Sequence, residues 1–285
     1  MEHLPPLRIH GHTISLSRPV IMGVLNTTPD SFYDGGKYLD PMDAVIQGMN
    51  LVTQGAHIID VGGESTRPGS TSVSVEEELI RIVPVIHALA EEGFLVSVDT
   101  MKSLVAEGAL EAGAIMVNDI SGGRDPEMFR VVEDYGAGLV IGHMRGMPET
   151  MQNSIDFSDV IAEVERELME AAGAAIAAGI NRERIILDPG IGFGKTPVQC
   201  AHLLGASGKI TKSTGFPVLV GPSNKSFIGS LSGAPVDQRL PGTITASILA
   251  YLSGAKIFRV HDPGALQQAL AIAEAILPSF EPCSV

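Results

Sequence analysis

Three short apolar runs end on side chains that can read hydrogen bonds. Run 94–98 leads to Asp99, run 114–117 to Asn118 and run 184–187 to Asp188. Two carboxylates and an amide gathered in one place suit a flat heterocycle whose edge alternates donors and acceptors, such as a guanine-like or pterin ring. Taken singly, each also reads as a helix N-cap, and Asp99-Thr100 ahead of Lys102 fits that role well. Convergence is what would turn them into a site.

The cations point to an anion. With a formal charge of −14, the chain as a whole repels one, so an anionic ligand needs a local cluster of positive groups. Lys225 and Arg259-Val260-His261 can supply it, because residues two apart on a strand share a face. Arg67, between Thr66 and Pro68 in a long polar loop, can add its guanidinium fork beside the Thr66 hydroxyl; a surface arginine is the plain alternative. Asn26 follows its apolar run directly, where a neutral oxygen could serve an anion or a magnesium ion. The loop 26–36 that it opens is long enough to be a lid or substrate loop.

Other signals are weaker. The segment 188–196 ends in Gly194-Lys195-Thr196, yet a phosphate-binding P-loop would need glycine at 189, where Pro189 stands. Its glycines suit close backbone approach to a ligand, with Phe193 left exposed as an apolar wall; a tight connection is the alternative. Met144, Met147 and Met151 near His143 read as packing or lid residues. No Ser-His-Asp order, cysteine nucleophile or HExxH motif is present. Ring recognition plus anion clamping favours a reaction in which a bound heterocycle loses a phosphate-type leaving group.

The elements that must carry these residues alternate. Apolar runs 20–25, 57–61, 94–98, 114–117, 139–142, 184–187, 218–221 and 256–260 each deliver a polar group at the same end. They are short and nearly uninterrupted, as strands buried on both faces are. Amphipathic stretches at 41–54, 75–92, 102–112, 126–135, 159–179, 197–212, 242–252 and 263–276 separate them. Eight such alternations predict a TIM (β/α)8 barrel, a single α/β domain over residues 1–285. Residues 7–16 would form a short N-terminal β-hairpin closing its bottom. A doubly wound open sheet is the alternative, and it would scatter the polar groups along an edge.

Composition excludes several classes. A chain of 285 residues with 45% hydrophobic content can bury a sizeable core, and no linker or low-complexity tract divides it. The acidic balance argues against nucleic-acid and membrane-surface partners. Cys200 and Cys283 match no zinc or redox spacing, the first residues carry no secretory pattern, and no stretch approaches the ~20 apolar residues of a membrane helix, which together favour a cytoplasmic protein.

Seven motifs, in order, resemble the dihydropteroate synthase family. They are Met22 to Phe32, Asp60 to Gly69, Ser97-Val98-Asp99-Thr100, Asn118-Asp119-Ile120, His143-Met144-x-Gly146-x-Pro148, Asp188-Pro189-Gly190-x-Gly192-Phe193-Gly194-Lys195 and Arg259-Val260-His261. The resemblance implies a transferase of folate biosynthesis. It would condense 6-hydroxymethyl-7,8-dihydropterin diphosphate with 4-aminobenzoate to give 7,8-dihydropteroate and pyrophosphate. It further implies a pterin pocket of Asp99, Asn118, Asp188, Lys225 and Arg259. The diphosphate would fall to Asn26, Thr66, Arg67, Arg259 and His261, with Mg2+ on Asn26. Thr66, Pro68, Phe193 and Ser226 would surround the aminobenzoate. Asn26, Arg67, Lys225, Arg259 and His261 would be the groups closest to the chemistry, in a homodimer.

One position departs from the pattern. Asn224 stands between Ser223 and Lys225 where the family usually has arginine, so a customary cation is missing. A methyltransferase-type pterin barrel would share the ring pocket but need no diphosphate clamp, and a non-catalytic pterin-binding homologue would have Asn224 as its only support.

Overall fold

The computed structural model describes residues 4–28, 41–66 and 70–277. Its chain order is β1 (Leu7–Ile9), β2 (His12–Ile14), β3 (Val20–Asn26), α1 (Pro41–Thr53), β4 (Ile58–Gly62), α2 (Val75–Glu91), β5 (Val96–Asp99), α3 (Ser103–Glu111), β6 (Met116–Asp119) and α4 (Met128–Asp134). There follow β7 (Gly138–Gly142), α5 (Val160–Ala177), β8 (Ile185–Asp188), α6 (Pro197–Gly205), α7 (Ser207–Thr214), β9 (Leu219–Val220), α8 (Ser226–Ser232), α9 (Leu240–Ser253), β10 (Ile257–Val260) and α10 (Pro263–Ile276).

Strands β3 to β10 pair in parallel in the order β8-β7-β6-β5-β4-β3-β10-β9. A parallel bridge between Leu187 and Val218 brings β8 to β9, supported by the Leu187 amide on the Pro217 carbonyl at 3.0 Å. The sheet therefore closes on itself. The expected (β/α)8 barrel is present and the open-sheet alternative falls.

Period two sorts the strand residues. Ile21, Leu25, Ile59, Val61, Val98, Val117, Leu139 and Leu187 face outward and pack with helix residues such as Leu51, Ile82, Val105, Val131, Leu168 and Leu203. Their neighbours Val20, Met22, Ile58, Met116, Val140, Ile186, Leu219 and Ile257 face inward and pack on one another. Leu7, Ile9, Ile14 and Leu16 from the β1–β2 hairpin join that inner cluster, so the predicted bottom closure is there. Gly138 lets the hairpin approach: a Cβ on it would lie 2.6 Å from Ile9 Cδ1. Each fully buried aliphatic side chain contributes about 1.5–3 kcal/mol, which makes the plug a major part of the barrel's stability.

Helix starts follow local rules. Ser74 caps α2, Asp159 caps α5, Asp262 caps α10, and Thr196 with Gln199 forms a capping box on α6. Two expectations needed correction. The single helix at 197–212 is broken at Ala206, where the chain turns so that Gly208 can lie against the end of α9; a Cβ on Gly208 would fall 1.6 Å from the Ser253 carbonyl oxygen. Helix α8 was not anticipated, because it is only seven residues long and its N-cap, Lys225, makes no side-chain capping bond, which leaves the left-handed Gly233 at its C-terminus as its end signal.

Candidate active site

Beyond the apolar plug, several of the inward-facing strand positions are polar. Asp60, Ser97, Asp99, Asn118 and Asp188 are all at least nine-tenths buried at the C-terminal mouth, with Arg259 rising among them. This is the end where barrels of this type assemble their sites.

Arg259 organises the group. Its Nε donates to Asp60 Oδ2 at 2.6 Å and its Nη2 to Asp99 Oδ2 at 2.6 Å. Asn118 Nδ2 donates to the same Asp60 oxygen at 2.9 Å. One guanidinium and one amide thus fix both carboxylates by charge-assisted bonds. Four buried atoms here have no hydrogen-bond partner among the described residues: Asp60 Oδ1, Ser97 Oγ, Asp99 Oδ1 and Asn118 Oδ1. Buried polar atoms are normally satisfied, so this mouth carries unspent capacity, chiefly for donors. Burial pushes the Asp99 carboxyl up to about 7 against the pull of Arg259, with Asp60 adding to the rise, while burial works against the charge of Arg259 and Asp99 and Asp60 overcome it to keep the guanidinium protonated.

Across the mouth, Asp188 accepts from the Gly190 amide at 2.7 Å, and burial raises its carboxyl in spite of nearby Lys225. Lys225 donates to the Ile191 carbonyl, and its ammonium lies 4.2 Å from the centre of the Phe193 ring. Burial lowers Lys225 to about 8, although Asp188 favours its charged form. Phe193 was expected as an exposed wall. It is instead partly buried under Lys225 and against Ile120, Met144 and Met151, the last two serving as the expected packing while Met147 is exposed.

The remaining expected residues occupy the rim. Asn26 ends β3, and its Oδ1 is beside Gly62; a Cβ there would stand 3.7 Å from both Asn26 Oδ1 and Asp99 Oδ2. Glycine at 62 keeps the space between them open. His261 Nδ1 shares a 2.8 Å hydrogen bond with Ser223 Oγ, whose oxygen also accepts the His261 amide at 3.2 Å. Thr66 is half-buried, and Ser226 begins α8 with its side chain exposed. Arg67 and Pro68, like the loop positions 29–36, lie outside the described residues.

Asn224 has a backbone reason. It sits at φ 55°, a left-handed conformation that asparagine tolerates far better than most residues. Its amide donates to Thr243 Oγ1 at 3.1 Å and its carbonyl accepts from Arg239 at 3.0 Å. The departure from the motif is thus a well-anchored turn that leaves Lys225 in position.

Sequence reasoning missed Asp60 as a site residue. The signal was a carboxylate inside Ile58-Ile59-Asp60-Val61, which is unaffordable in a strand buried on both faces unless a cation meets it. It also missed what the 188–196 glycines approach. Gly190 is at φ 67°, and a Cβ on it would sit 1.9 Å from the His143 carbonyl oxygen, so the close neighbour is the protein's own backbone.

The family profile described as "Pterin binding enzyme" matches residues 22–261. A dihydropteroate synthase of Synechocystis is 46% identical over 280 residues, covering 96% of each chain. A solved Xanthomonas albilineans dihydropteroate synthase with 4-aminobenzoic acid superposes at a TM-score of 0.90 with 42% identity, over 96% of this chain and 98% of that one. Another structure from that organism, in complex with 7,8-dihydropteroate, gives 0.86 at 38% identity, over 96% and 99%. Ordered motifs, a closed barrel with its polar groups at one mouth, and relatives matched from end to end place this chain in the dihydropteroate synthase family of pterin-binding enzymes.

Proposed function

We propose that the mouth binds 6-hydroxymethyl-7,8-dihydropterin diphosphate and transfers its pterinylmethyl group to 4-aminobenzoate, giving 7,8-dihydropteroate and pyrophosphate. The observation that carries this is the set of partnerless buried atoms on Asp60, Ser97, Asp99 and Asn118 facing Asp188 and Lys225. Asp99, Asn118 and Asp188 take the ring's N–H groups, and Lys225 donates to a ring acceptor. Arg259 lies against the ring face while neutralising the anion beside it. Asn26, Thr66, Arg67 and His261 complete the diphosphate side, and Thr66, Pro68, Phe193 and Ser226 the aminobenzoate side.

The reaction needs little acid–base help. The C–O bond to the diphosphate breaks with its electron pair leaving on pyrophosphate, and the electron-rich ring stabilises the methylene carbon. The neutral aniline nitrogen then forms the new C–N bond and sheds its extra proton to water. Catalysis is therefore clamping and charge neutralisation of the leaving group.

Magnesium fits such a site. Asn26 offers one neutral oxygen, and no cluster of three His, Cys, Asp or Glu side chains suited to a metal occurs among the described residues. Asn26 would hold the ion together with diphosphate oxygens and water, and the ion would neutralise charge on the leaving group. A homodimer is favoured by the apolar outer face of α9 and α10, where Leu249, Leu252, Ile272 and Ile276 are exposed. None of the described helices is long and apolar enough to cross a membrane, and action in the cytoplasm agrees with that.

The decisive experiment supplies purified protein with the pterin diphosphate and Mg2+, with and without 4-aminobenzoate. Dihydropteroate and pyrophosphate in equal amounts are expected only with the amine present. Absence of both products would refute the reading.

A further inference from the structure

Lys102 is oddly placed for a helix-start residue. It is the N-cap of α3, where a positive charge opposes the helix dipole, and its side chain makes no capping bond. Others do that work: Asp125 Oδ2 accepts the Ser103 amide at 2.8 Å, and Thr100 Oγ1 accepts the Lys102 amide at 3.2 Å.

The ammonium reaches instead to the loop between β4 and α2. It donates to Glu64, to the Val73 carbonyl at 2.7 Å and to Glu78 Oε2 at 2.7 Å. Glu64 lies just after β4 and Val73 just before α2, so one side chain holds both feet of the segment that contains Thr66. Glu78, on α2, is 1% exposed and would be a buried uncompensated charge without this contact. Arg81 adds a bond at 2.7 Å to the Gly63 carbonyl, and Ser70 Oγ one at 2.5 Å to the Ser65 carbonyl. Gly63 admits the fit: a Cβ there would stand 2.8 Å from Ile82 Cγ2 and 2.9 Å from Glu78 Cγ. Lys102 follows Asp99 by three residues, so the same short segment carries the ring-reading carboxylate and the clasp.

We infer that Lys102 is a positioning residue: by clasping Glu64, Val73 and Glu78 it sets where Thr66 stands relative to the strand end that bears Asp99, and so aligns the diphosphate and aminobenzoate side of the site with the pterin side. The inference rests on the proposed reaction. All three protons of the ammonium are engaged with the loop feet and α2, which leaves Lys102 no part in ligand binding. Its effect on turnover passes through the loop.

The test compares Lys102→Arg with the charge-balanced pair Lys102→Met/Glu78→Gln, which leaves no buried lone carboxylate at 78. Turnover, the KM for 4-aminobenzoate and the dissociation constant of 6-hydroxymethylpterin, which lacks the diphosphate, are measured on protein shown by melting to be folded. In the balanced pair, kcat/KM for aminobenzoate should fall about tenfold or more while hydroxymethylpterin affinity stays within about twofold, since misplacement far from the ring costs rate rather than ring contacts. Lys102→Arg should recover most of the loss. Wild-type kinetics in the balanced pair, or a parallel fall in hydroxymethylpterin affinity, would reduce Lys102 to a fold brace and overturn the inference. An inactive wild-type enzyme would instead strike at the proposed reaction, which separates the two failures.

Discussion

Two lysines beside the β8 loop, Lys195 buried and Lys225 half-buried, do opposite things with the same charge. Lys195 is 3% exposed, and its ammonium donates to His143 Nδ1 at 3.0 Å, the His143 carbonyl at 3.2 Å and the Phe193 carbonyl at 3.0 Å. All three protons are engaged. His143 in turn shares its Nε2 with Glu167 at 2.9 Å, and Glu167 is gripped by Arg145. Lys225, on the other side of the loop, meets one carbonyl, at Ile191, and the face of Phe193. The first lysine is a brace whose hydrogen bonds are spent inside the fold. The second has donor capacity directed at the mouth, and what separates them is the number of acceptors the fold supplies.

That contrast can be broken by substitution. Lys225→Ala should lower kcat/KM by about a hundredfold or more through lost pterin binding, since a charge-assisted bond in a dry site is among the costliest to lose. Its melting temperature should hold, because a desolvated charge is removed along with the bond. A variant that kept wild-type pterin affinity would erase the distinction. Gly190→Ala should act on the other side, destabilising by roughly 3 kcal/mol or more, since the new Cβ meets the His143 carbonyl at 1.9 Å in a left-handed backbone. Denaturant unfolding would reveal it, and an unchanged midpoint would contradict the close approach of Gly190 to the His143 carbonyl.

Lys195→Met should cost about 2–3 kcal/mol of stability, for it strips the donor from buried acceptors on His143 and Phe193. Turnover per folded molecule should fall by less than about tenfold, as expected of a brace that touches no ligand. The reverse pattern, intact stability with collapsed turnover, would make Lys195 part of the chemistry.

The pH responses sharpen the same comparison. Burial lowers Lys225 to about 8, so its charge is present below that pH and is lost as pH rises through it. Pterin binding should weaken on that alkaline limb, and Lys225→Arg should remove the limb. Lys195 is lowered by burial to about 7, well under the ~10.4 of an unfolded lysine, so between those values the unfolded chain binds more protons. Its contribution should therefore make the protein more stable as pH rises through that window, and Lys195→Met should flatten the rise. A slope equal to that of the wild type would show that Lys195 does not titrate there.

Much of this was legible beforehand. Short, nearly uninterrupted Val/Ile runs alternating with amphipathic helical stretches gave the barrel, because strands covered on both faces carry their polar residues mainly at their ends. That is why Asp99, Asn118 and Asp188 stood out as candidates at strand ends, and the fold buries all three at one mouth. Asp60 escaped because its partner, Arg259, is 199 positions away, and only the pairing of β3 with β10 brings their strands together. Helix α8 escaped for the opposite reason: it is seven residues long, has no side-chain N-cap, and packs against α6 and α9.

By itself the sequence determined the eight strand-helix units, the polar identity of the strand ends and the ordered motifs of the family. The tertiary structure decided which polar groups satisfy one another and which keep atoms for a ligand. Lys195 and Lys225 look alike in a string of letters, as do Asp99 and Asp119. Asp119 turns outward one position after Asn118 and spends both oxygens on the amides of Ser121 and Gly123, whereas Asp99 turns inward and keeps Oδ1 without a partner among the described residues. Side-chain identity sets which hydrogen bonds a group can make, and three-dimensional neighbours alone fix how many are left over.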